Sequence, residues 1–170
     1  MKNHVTCLAF EGTAHTAAVA LITDKKTILA DERDMFTTAT GGIIPSEAAK
    51  HHEKLFKELL EKVLLQHVNI DLVTFSKSPG LAPCLKITLQ TAKRVAQELG
   101  VPLLGVNHCV SHLTSAHLFT EVKDPIYVFV SGANTQIIGN EGKHFRIFGE
   151  TLDVGLGNAL DKFGRAVGLG

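Results

Sequence analysis

The sequence has little of what marks several classes of protein. Its 170 residues include only 3 cysteines, at Cys7, Cys84 and Cys109, which are too few and too scattered for a disulfide framework and indicate reduced thiols in an intracellular protein. No apolar run approaches the ~20 residues of a membrane-spanning helix, and residues 1–4 lead into an apolar strand without a signal-peptide pattern. We therefore expect a cytoplasmic protein that does not span a membrane.

An excess of charge of one sign is also missing. The 17 Lys and Arg residues balance the 17 Asp and Glu residues, so the overall charge gives no reason to expect nucleic acid or an anionic membrane as a partner, although a local basic patch is compatible with this balance. The sequence contains no internal repeat. With 45% hydrophobic residues, the chain can form one domain with a sizeable core or one lobe of a two-lobed protein.

Hydrophobic patterns along the chain predict an α/β fold. The first third is typical of an antiparallel meander of strands. Two short apolar strands of the type buried in parallel sheets follow, each after a helix. A polar connection, residues 37–44, leads into the first helix. The predicted strands are residues 5–10, 17–23, 27–36, 70–76, 102–106, 126–130, 137–138 and 143–148.

Several segments show the period of about 3.6 residues expected of amphipathic helices. The first begins at Pro45, with Ser46 as the predicted N-cap and Glu47 in the first turn. The consecutive residues His51 and His52 of this helix point about 100° apart. A surface or half-buried role is therefore favoured for them over binding of one shared metal ion. The predicted buried faces are His52, Leu55, Phe56, Leu59, Leu60, Val63 and Leu64 in the first helix, Leu85, Leu89, Ala92, Ala96 and Leu99 before a stop at Gly100 in the second, and Leu160, Phe163, Ala166 and Val167 in the last.

The order of these elements indicates two lobes of unequal completeness. A meander, a helix, a strand, a helix, a strand and a helix make one complete lobe, for which we predict residues 1–125. A new meander begins at Ile126, so residues 126–170 are interpreted as the beginning of a second, incomplete lobe. An incomplete lobe should leave apolar surface exposed around Leu160, Phe163 and Val167, which predicts association or poor solubility.

The sharpest chemical signal is the pair His108 and His112. Residues four apart on a helix lie on one face with Cβ atoms about 5–6 Å apart, so both imidazoles can reach one metal ion. The same spacing also fits a helix N-terminus with polar residues in its first turn, and a His-x-x-x-His pair without further ligands is a weak motif. Cys109 follows His108, so the metalloprotease signature with its Glu after the first His is absent. An unrelated hydrolase with a His-x-x-x-His site is therefore the least favoured of the functions considered.

The position of this pair favours a real site. The strand 102–106 delivers Asn107 and His108 at its carboxyl end, where open α/β sheets bind ligands. A second candidate is the turn formed by residues 131–136, which follows a strand and offers backbone N–H groups to an anion. A plain hairpin is the alternative there.

Five blocks of the sequence, taken in order, point to one family. They are residues 11–14, 78–80, 105–112, 131–136 and 148–163. These blocks resemble the archaeal and eukaryotic members of the Kae/TsaD/Gcp family of tRNA N6-adenosine threonylcarbamoyltransferases, the catalytic subunits of the KEOPS complex. The resemblance extends over essentially the whole chain. It implies an α/β fold of the actin, Hsp70 and sugar-kinase (ASKHA) superfamily and the metal-assisted transfer of threonylcarbamoyl from threonylcarbamoyl-adenylate to N6 of the adenosine next to the anticodon.

The resemblance also implies roles for particular residues. His108 and His112 would be ligands for one Fe²⁺ or Zn²⁺ ion per subunit, joined in the family by a tyrosine and by an aspartate near the C-terminus. The metal would act as a Lewis acid and template. Asp161 would hydrogen-bond the nucleotide. The segment that would border the adenylate through its backbone consists of Phe129, Val130, Ser131, Gly132 and Ala133.

Departures from the family pattern keep two hypotheses open. Phe129 stands where the family has its metal-binding tyrosine, Tyr127 lies two residues earlier on the same strand face, and Ala133 replaces a glycine. The second lobe, with the last metal ligand, is missing from these 170 residues. The first hypothesis is that the chain is the transferase, or its N-terminal half completed by another piece. The second is that it is a truncated non-catalytic relative that acts as a binding or scaffold subunit of the same pathway.

The resemblance implies partners as well. tRNA and threonylcarbamoyl-adenylate would be substrates, and helices near the start of the chain would dock a small dimerising subunit, while another surface would meet a kinase-like ATPase. The apolar stripe of the helix from Glu47 to Leu64 is a candidate for such docking, but we interpret it as core.

Overall fold

The computed structural model describes residues 4–38, 42–142 and 144–169. Residues 1–3, part of the connection at 39–41, Lys143 and Gly170 lie outside the described residues, so the expectations for them are left as they stand. Within the described part, the chain divides into two compact units, Met1–His112 and Leu113–Gly170. The division falls earlier than the boundary expected after residue 125.

The order of strands and helices agrees with the sequence-based prediction, and element ends shift by a few residues. The elements are β1 Thr6–Glu11, β2 Thr16–Thr23, β3 Ile28–Met35, α1 Pro45–Leu64, β4 Leu72–Ser78, α2 Ala82–Leu99, β5 Leu103–Asn107, α3 His108–Phe119, β6 Tyr127–Val130, β7 Thr135–Glu141, β8 His144–Glu150 and α4 Leu156–Ala166.

A five-stranded sheet in the order β3-β2-β1-β4-β5 forms the frame of the first unit. β1, β2 and β3 pair antiparallel, as the predicted meander requires, whereas β4 is parallel to both β1 and β5. The polypeptide reaches β4 through α1 and β5 through α2, which is the usual way to connect parallel strands. The carboxyl ends of β1, β4 and β5 consequently lie at one edge of the sheet.

Helices α1 and α2 pack against this sheet and enclose the main core. Alternate residues of β1, among them Leu8 and Phe10, are buried, and Phe10 meets Phe56 of α1 edge to face at a centroid distance of 5.7 Å. The apolar stripe of α1 is core, as predicted. The buried members of the core are Leu8, Phe10, Ala17, Val19, Leu21, Phe56, Leu59, Val63, Ile70, Val73, Ala92, Val95 and Ala96.

The start of α1 differs from the prediction. Pro45 is the first helical residue, and the N-cap is Ile44, whose backbone is extended and whose side chain makes no capping bond. Ser46 therefore lies inside the first turn and is not the cap. Proline favours this position because its fixed φ suits the first turn and its missing N–H would have no helical partner there. Glu47 does lie in the first turn.

The surface or half-buried role favoured for His52 is wrong, and so is part of the buried face predicted for α2. His52 is fully buried, with 0% of its surface exposed, because it lies on the stripe that packs against the sheet. In α2 the buried face is rotated toward Thr88, while Leu89 and Leu99 are 41% and 43% exposed. The buried Thr88 hydroxyl keeps a hydrogen-bond partner, because it donates to the carbonyl oxygen of Gly12 at 3.1 Å or of Cys84 at 2.9 Å.

The second unit contains the antiparallel sheet β6-β7-β8. Its small core consists of Leu113, Tyr127 and Ile138, with Phe129 and Phe145 packed against it. No helix in residues 4–38, 42–142 and 144–169 is long and apolar enough to cross a membrane.

Helix α4 presents its apolar face to solvent. None of its described residues is buried, and Leu160, Phe163 and Val167 are 61%, 65% and 53% exposed. The predicted buried face of this helix is therefore wrong. The expected apolar surface at the same residues is confirmed.

Candidate functional site

The candidate site lies where parallel strands end. β1 ends at Glu11, β4 at Ser78 and β5 at Asn107, and these ends share one edge of the sheet because the strands run in the same direction. His108 begins α3 directly after β5. Edges of this kind are the usual ligand sites of open α/β sheets, so His108 lies where the sequence predicted.

The turn from β5 into α3 fixes the direction of His108. The side-chain oxygen of Asn107 accepts a hydrogen bond from the backbone N–H of Val110 at 3.1 Å, which is the bond of an N-cap residue to the third helical position. The Ser111 hydroxyl donates to the backbone oxygen of Asn107 at 3.0 Å. Asn107 thus ends the strand and caps the helix, so the histidine between them has little freedom.

His108 and His112 converge as their spacing predicts. Their Nε2 atoms are 3.2 Å apart, and their ring planes lie at 89° with centroids 4.5 Å apart. Two imidazoles bound to one tetrahedral Zn²⁺, at about 2.0–2.1 Å per bond, would hold their nitrogen atoms about 3.3 Å apart. The pair therefore fits a shared metal ion, and the ligand role itself stays a prediction.

Sequence reasoning did not single out Glu11 as a site residue. Its Oε1 accepts hydrogen bonds from the backbone N–H of Thr13 at 2.9 Å and from the Thr13 hydroxyl at 2.5 Å, and its Oε2 accepts one from the Ser76 hydroxyl. Oε2 also lies 3.3 Å from Nδ1 of His108. Burial by itself raises the pKa of Glu11, but the hydrogen bonds from His108, Ser76 and Thr13 outweigh burial and lower that pKa to about 2. An acidic residue at a strand end, directly before Gly12, was the available signal.

Two glycines let the backbone around Glu11 pack closely. A Cβ atom on Gly12 would lie 2.4 Å from Oγ1 of Thr88 and 2.9 Å from Cδ2 of His52, and one on Gly80 would lie 2.6 Å from the backbone oxygen of Thr13. The same oxygen accepts a hydrogen bond from the N–H of Leu81 at 2.7 Å. The turn after β1 is therefore held by α1, α2 and the loop before α2.

The pKa shifts of His112 and Cys109 favour His112 as the metal ligand. Partial burial of the His112 ring lowers its pKa, proximity to His108 lowers it further, and Glu11 acts in the opposite direction. Neutral imidazole is the form that binds metals. Burial raises the pKa of the Cys109 thiol, which keeps it protonated and a poor ligand.

Among the described residues, the set of metal ligands around the histidine pair is incomplete. Across the described ranges, no group of three or more His, Cys, Asp and Glu side chains is arranged to hold a metal ion. In the second unit, Tyr127 and Phe129 lie on the same face of β6, as predicted. The Tyr127 hydroxyl is 2.7 Å from Nε2 of His117, and Phe129 has no donor atom. Zinc sites usually have about three or four protein ligands, so the described residues supply an incomplete set.

Hydrogen bonds within the turn connect the two ends of the predicted adenylate loop in the second unit. The Ser131 N–H donates to the backbone oxygen of Asn134 at 2.9 Å, and the Asn134 N–H donates to the Ser131 hydroxyl at 3.1 Å. The N–H groups of Gly132 and Ala133 are not used in these bonds. Val130, which precedes the loop, is 48% exposed.

The same loop packs against the beginning of α4. The Gly157 N–H donates to the Ser131 oxygen at 3.2 Å, and a Cβ atom on Gly155 would lie 2.7 Å from the backbone nitrogen of Asn134. Asp161 lies about one helical turn after Gly157. Its carboxylate is 71% exposed and 3.7 Å from Arg165. The structure thus joins the loop to the helix that carries Asp161, and their substrate roles stay predictions.

A groove of about 390 Å³ opens beside Glu11 in the first unit. Its size falls within the range of about 300–1,000 Å³ found for small-molecule sites. Small residues, four hydroxyl groups and one ion pair contribute to its wall. These residues are Ala9, Ala18 and Ala20, then Thr16, Thr74, Ser76 and Ser111, and Asp31 with Arg33.

Solved structures resemble this fold at low sequence identity. YeaZ from Pseudomonas aeruginosa superimposes with a TM-score of 0.58 at 16% identity, over 86% of this chain and 66% of that chain. EutJ from Carboxydothermus hydrogenoformans gives 0.57 at 15% identity, over 100% and 59%. The Ppx/GppA family member of Aquifex aeolicus gives 0.51 at 15% identity, over 94% and 54%. These likenesses define an ASKHA-type α/β fold, as predicted.

Sequence relatives then give the family. The family described as "TsaD: tRNA N6-adenosine threonylcarbamoyltransferase" matches residues 27–170, and the chain belongs to it. A protein of that name from Thermococcus gammatolerans is 46% identical over 167 residues, which cover 96% of this chain and 51% of the relative. A "probable bifunctional tRNA threonylcarbamoyladenosine biosynthesis protein" of Methanococcus vannielii is 43% identical over 170 residues, 99% of this chain and 31% of the relative. The chain spans about half the length of the Thermococcus relative.

Proposed function

We propose that this chain provides the N-terminal half of a tRNA N6-adenosine threonylcarbamoyltransferase. One observation carries the proposal: in a chain of this family, the Nε2 atoms of His108 and His112 lie 3.2 Å apart at the carboxyl edge of the sheet. The substrates would be threonylcarbamoyl-adenylate and the adenosine next to the anticodon of tRNA. The chain would act together with the rest of the two-lobed enzyme.

The reaction is an acyl transfer. The N6 amine of adenosine attacks the carbamoyl carbon, a new C–N bond forms, the bond between that carbon and the phosphate oxygen breaks, and AMP leaves while N6 loses a proton. His108 and His112 would hold one Fe²⁺ or Zn²⁺ ion, which supplies Lewis acidity toward a carbonyl or phosphate oxygen. The groove beside Ser76 and Ser111 has room and hydroxyl groups for the threonyl part of the substrate.

In the proposed enzyme the second unit would contact the nucleotide. The segment from Phe129 to Ala133 would border the adenylate, and the turn after Val130 would present the N–H groups of Gly132 and Ala133 to it. Asp161 would accept hydrogen bonds from sugar hydroxyls, which its 71% exposed carboxylate permits. These assignments rest on the resemblance to the family motifs and on the order that the loop bonds give to this segment.

We further propose partners of the KEOPS type, namely a small dimerising subunit and a kinase-like ATPase, and a cytoplasmic location. The names of the Methanococcus relatives support a second activity in the same pathway, since those proteins are called bifunctional. The apolar stripe of α1 is buried in the core, so a partner on α1 would have to use its polar face.

A non-catalytic binding or scaffold role is the second candidate. Phe129 in place of the family tyrosine favours it, because this side chain cannot ligate a metal. The exposed apolar face of α4 also suits a binding role, since Phe163 is 65% exposed.

Metal content and affinity would test the proposal. We would compare the purified chain with a His108→Ala, His112→Ala double variant, and use His67→Asn, His144→Ala as a control that removes two exposed histidines elsewhere. The transferase proposal expects about one metal ion per chain, lost only in the first variant. Absence of metal from all three proteins would contradict the metal site and leave the scaffold role.

Transfer activity is the second measurement. Metal-loaded chain, tRNA and threonylcarbamoyl-adenylate would be combined with and without the C-terminal half of a Thermococcus relative, and the modified nucleoside would be quantified by mass spectrometry. Modification that depends on both halves is expected. Metal binding without modification in either mixture would favour the scaffold role.

A further inference from the structure

The ring of His108 has a second nitrogen whose surroundings determine its hydrogen. Nδ1 lies 3.3 Å from Oε2 of Glu11 and 3.4 Å from the hydroxyl oxygen of Thr13. The Thr13 hydroxyl hydrogen is committed elsewhere, because that group donates to Oε1 of Glu11 at 2.5 Å. An ionised carboxylate has no hydrogen to give. Nδ1 therefore faces two acceptors.

This arrangement permits only one neutral form of the ring. A lone pair on Nδ1 would meet two oxygen atoms without a hydrogen between them, whereas an N–H there donates to both. A neutral imidazole carries its hydrogen on one nitrogen only, so the hydrogen on Nδ1 leaves Nε2 of His108 as a lone pair. The Nε2 atom of His108 that carries this lone pair lies 3.2 Å from Nε2 of His112.

We propose that Glu11 is a positioning residue that holds His108 as the Nδ1–H tautomer and thereby prepares its Nε2 for a divalent metal ion. The metal part of this inference rests on the proposed function. Carboxylate partners of this kind orient histidine ligands in many metal sites, and their removal typically lowers metal affinity by about 10–100-fold.

The carboxylate is itself held in place. The Thr13 N–H, 2.9 Å from Oε1, and the hydroxyl groups of Thr13 and Ser76 all donate to it. These donors come from the turn after β1 and from β4, and Gly12 lets that turn pack tightly against α1 and α2. Glu11 is thus fixed by the sheet edge before any ligand arrives, which is the condition for a preorganised site.

The substitution Glu11→Gln turns this contact around. The Thr13 donors require the amide oxygen of the new side chain on the Oε1 side, so its NH₂ group points toward Ser76 and His108. A donor at this position favours a lone pair on Nδ1 and moves the hydrogen to Nε2. We expect ¹⁵N NMR of metal-free protein at about pH 8, which is above the reference pKa of about 6.5 for a free imidazole, to show His108 as Nδ1–H in the wild type and as Nε2–H in the variant. Zn²⁺ affinity should fall by about 10–100-fold.

Matched variants separate positioning from general stability. Glu32→Gln changes a half-buried carboxylate of the same sheet, which pairs with Lys62 of α1 at 4.0 Å, and Thr13→Val removes a hydroxyl but leaves Glu11 beside His108. Both should retain the Nδ1–H tautomer. An Nε2–H tautomer in the wild type, which needs no variant to observe, would overturn the proposal, as would a Glu11→Gln protein with unchanged tautomer and Zn²⁺ affinity. A tautomer that changes as expected in a chain that binds no Zn²⁺ would contradict the metal site and support the positioning of His108.

Discussion

The two units of the chain differ in how they treat apolar residues. The first encloses a core that runs from Leu8 to Ala96, whereas the described core of the second is three buried side chains with two aromatic neighbours. Phe56 in α1 is 1% exposed, and Phe163 in α4, which is also an amphipathic helix, is 65% exposed. The first unit buries the apolar face of α1, whereas the second leaves the apolar face of α4 exposed.

The largest effect should come from truncating the same residue type in both units. Phe56→Ala should destabilise the first unit by about 3–5 kcal/mol, because it leaves a cavity in a packed core. Phe163→Ala should change the free energy of unfolding by less than about 0.5 kcal/mol. Urea unfolding followed by far-UV circular dichroism measures both. Equal effects would show that α4 is buried in solution and remove the contrast between the units.

Acidification should also weaken the first unit. His52 is fully buried and its Nε2 has no hydrogen-bond partner among the described residues, and burial, reinforced by His51, lowers its pKa to about 4. Between the unfolded value of about 6.5 and about 4, the unfolded state binds more protons, so stability falls as the pH falls through this range, by about 3 kcal/mol in all.

His52→Leu is the control for that pH dependence. It removes the titrating group, so denaturant midpoints should vary less between pH 7 and about 4.5 than in the wild type. The lowered pKa of Glu11 acts in a lower range, since its contribution is present above about 4.5 and is lost toward about 2. A pH profile identical to that of the wild type would show that His52 is not the responsible group.

Substitution of one glycine should have an intermediate effect. Gly12→Ala places a methyl group 2.4 Å from the Thr88 hydroxyl, and we expect a loss of about 1–3 kcal/mol in stability, together with weaker Zn²⁺ binding because the turn after Glu11 must move. Gly149→Ala in β8 meets nothing within 4 Å and should be nearly neutral. Thermal unfolding and Zn²⁺ titration of the two variants test this difference.

The smallest effect on stability should come from the surface of α4. Leu160→Ser with Phe163→Ser should alter the unfolding free energy by less than about 0.5 kcal/mol per site yet reduce self-association, because both side chains are more than half exposed. Sedimentation velocity over a range of concentrations measures association. Unchanged association would mean that this face does not mediate contacts between copies.

Elements and contacts that depend on residues close together in sequence could be predicted, and those that depend on distant residues could not. The meander, the helix stop at Gly100, which has a left-handed backbone with φ of 66°, and the meeting of His108 with His112 follow from neighbours in sequence. The burial of His52 and the role of Glu11 do not, because they depend on which strand ends come together. The exposed face of α4 could not be predicted either, because an amphipathic pattern leads to a buried face only where another surface covers it.

The separation of the site residues along the chain has a consequence for biosynthesis. The contact between Glu11 and His108 joins residues 97 positions apart, and that between Glu11 and Ser76 joins residues 65 apart. Contacts of this range form only after the intervening elements have been placed. During synthesis on the ribosome, Glu11 emerges early, and it can contact His108 only after the start of α3 has been translated. The histidine pair therefore cannot capture a metal ion in its final geometry before the whole first unit has been synthesised.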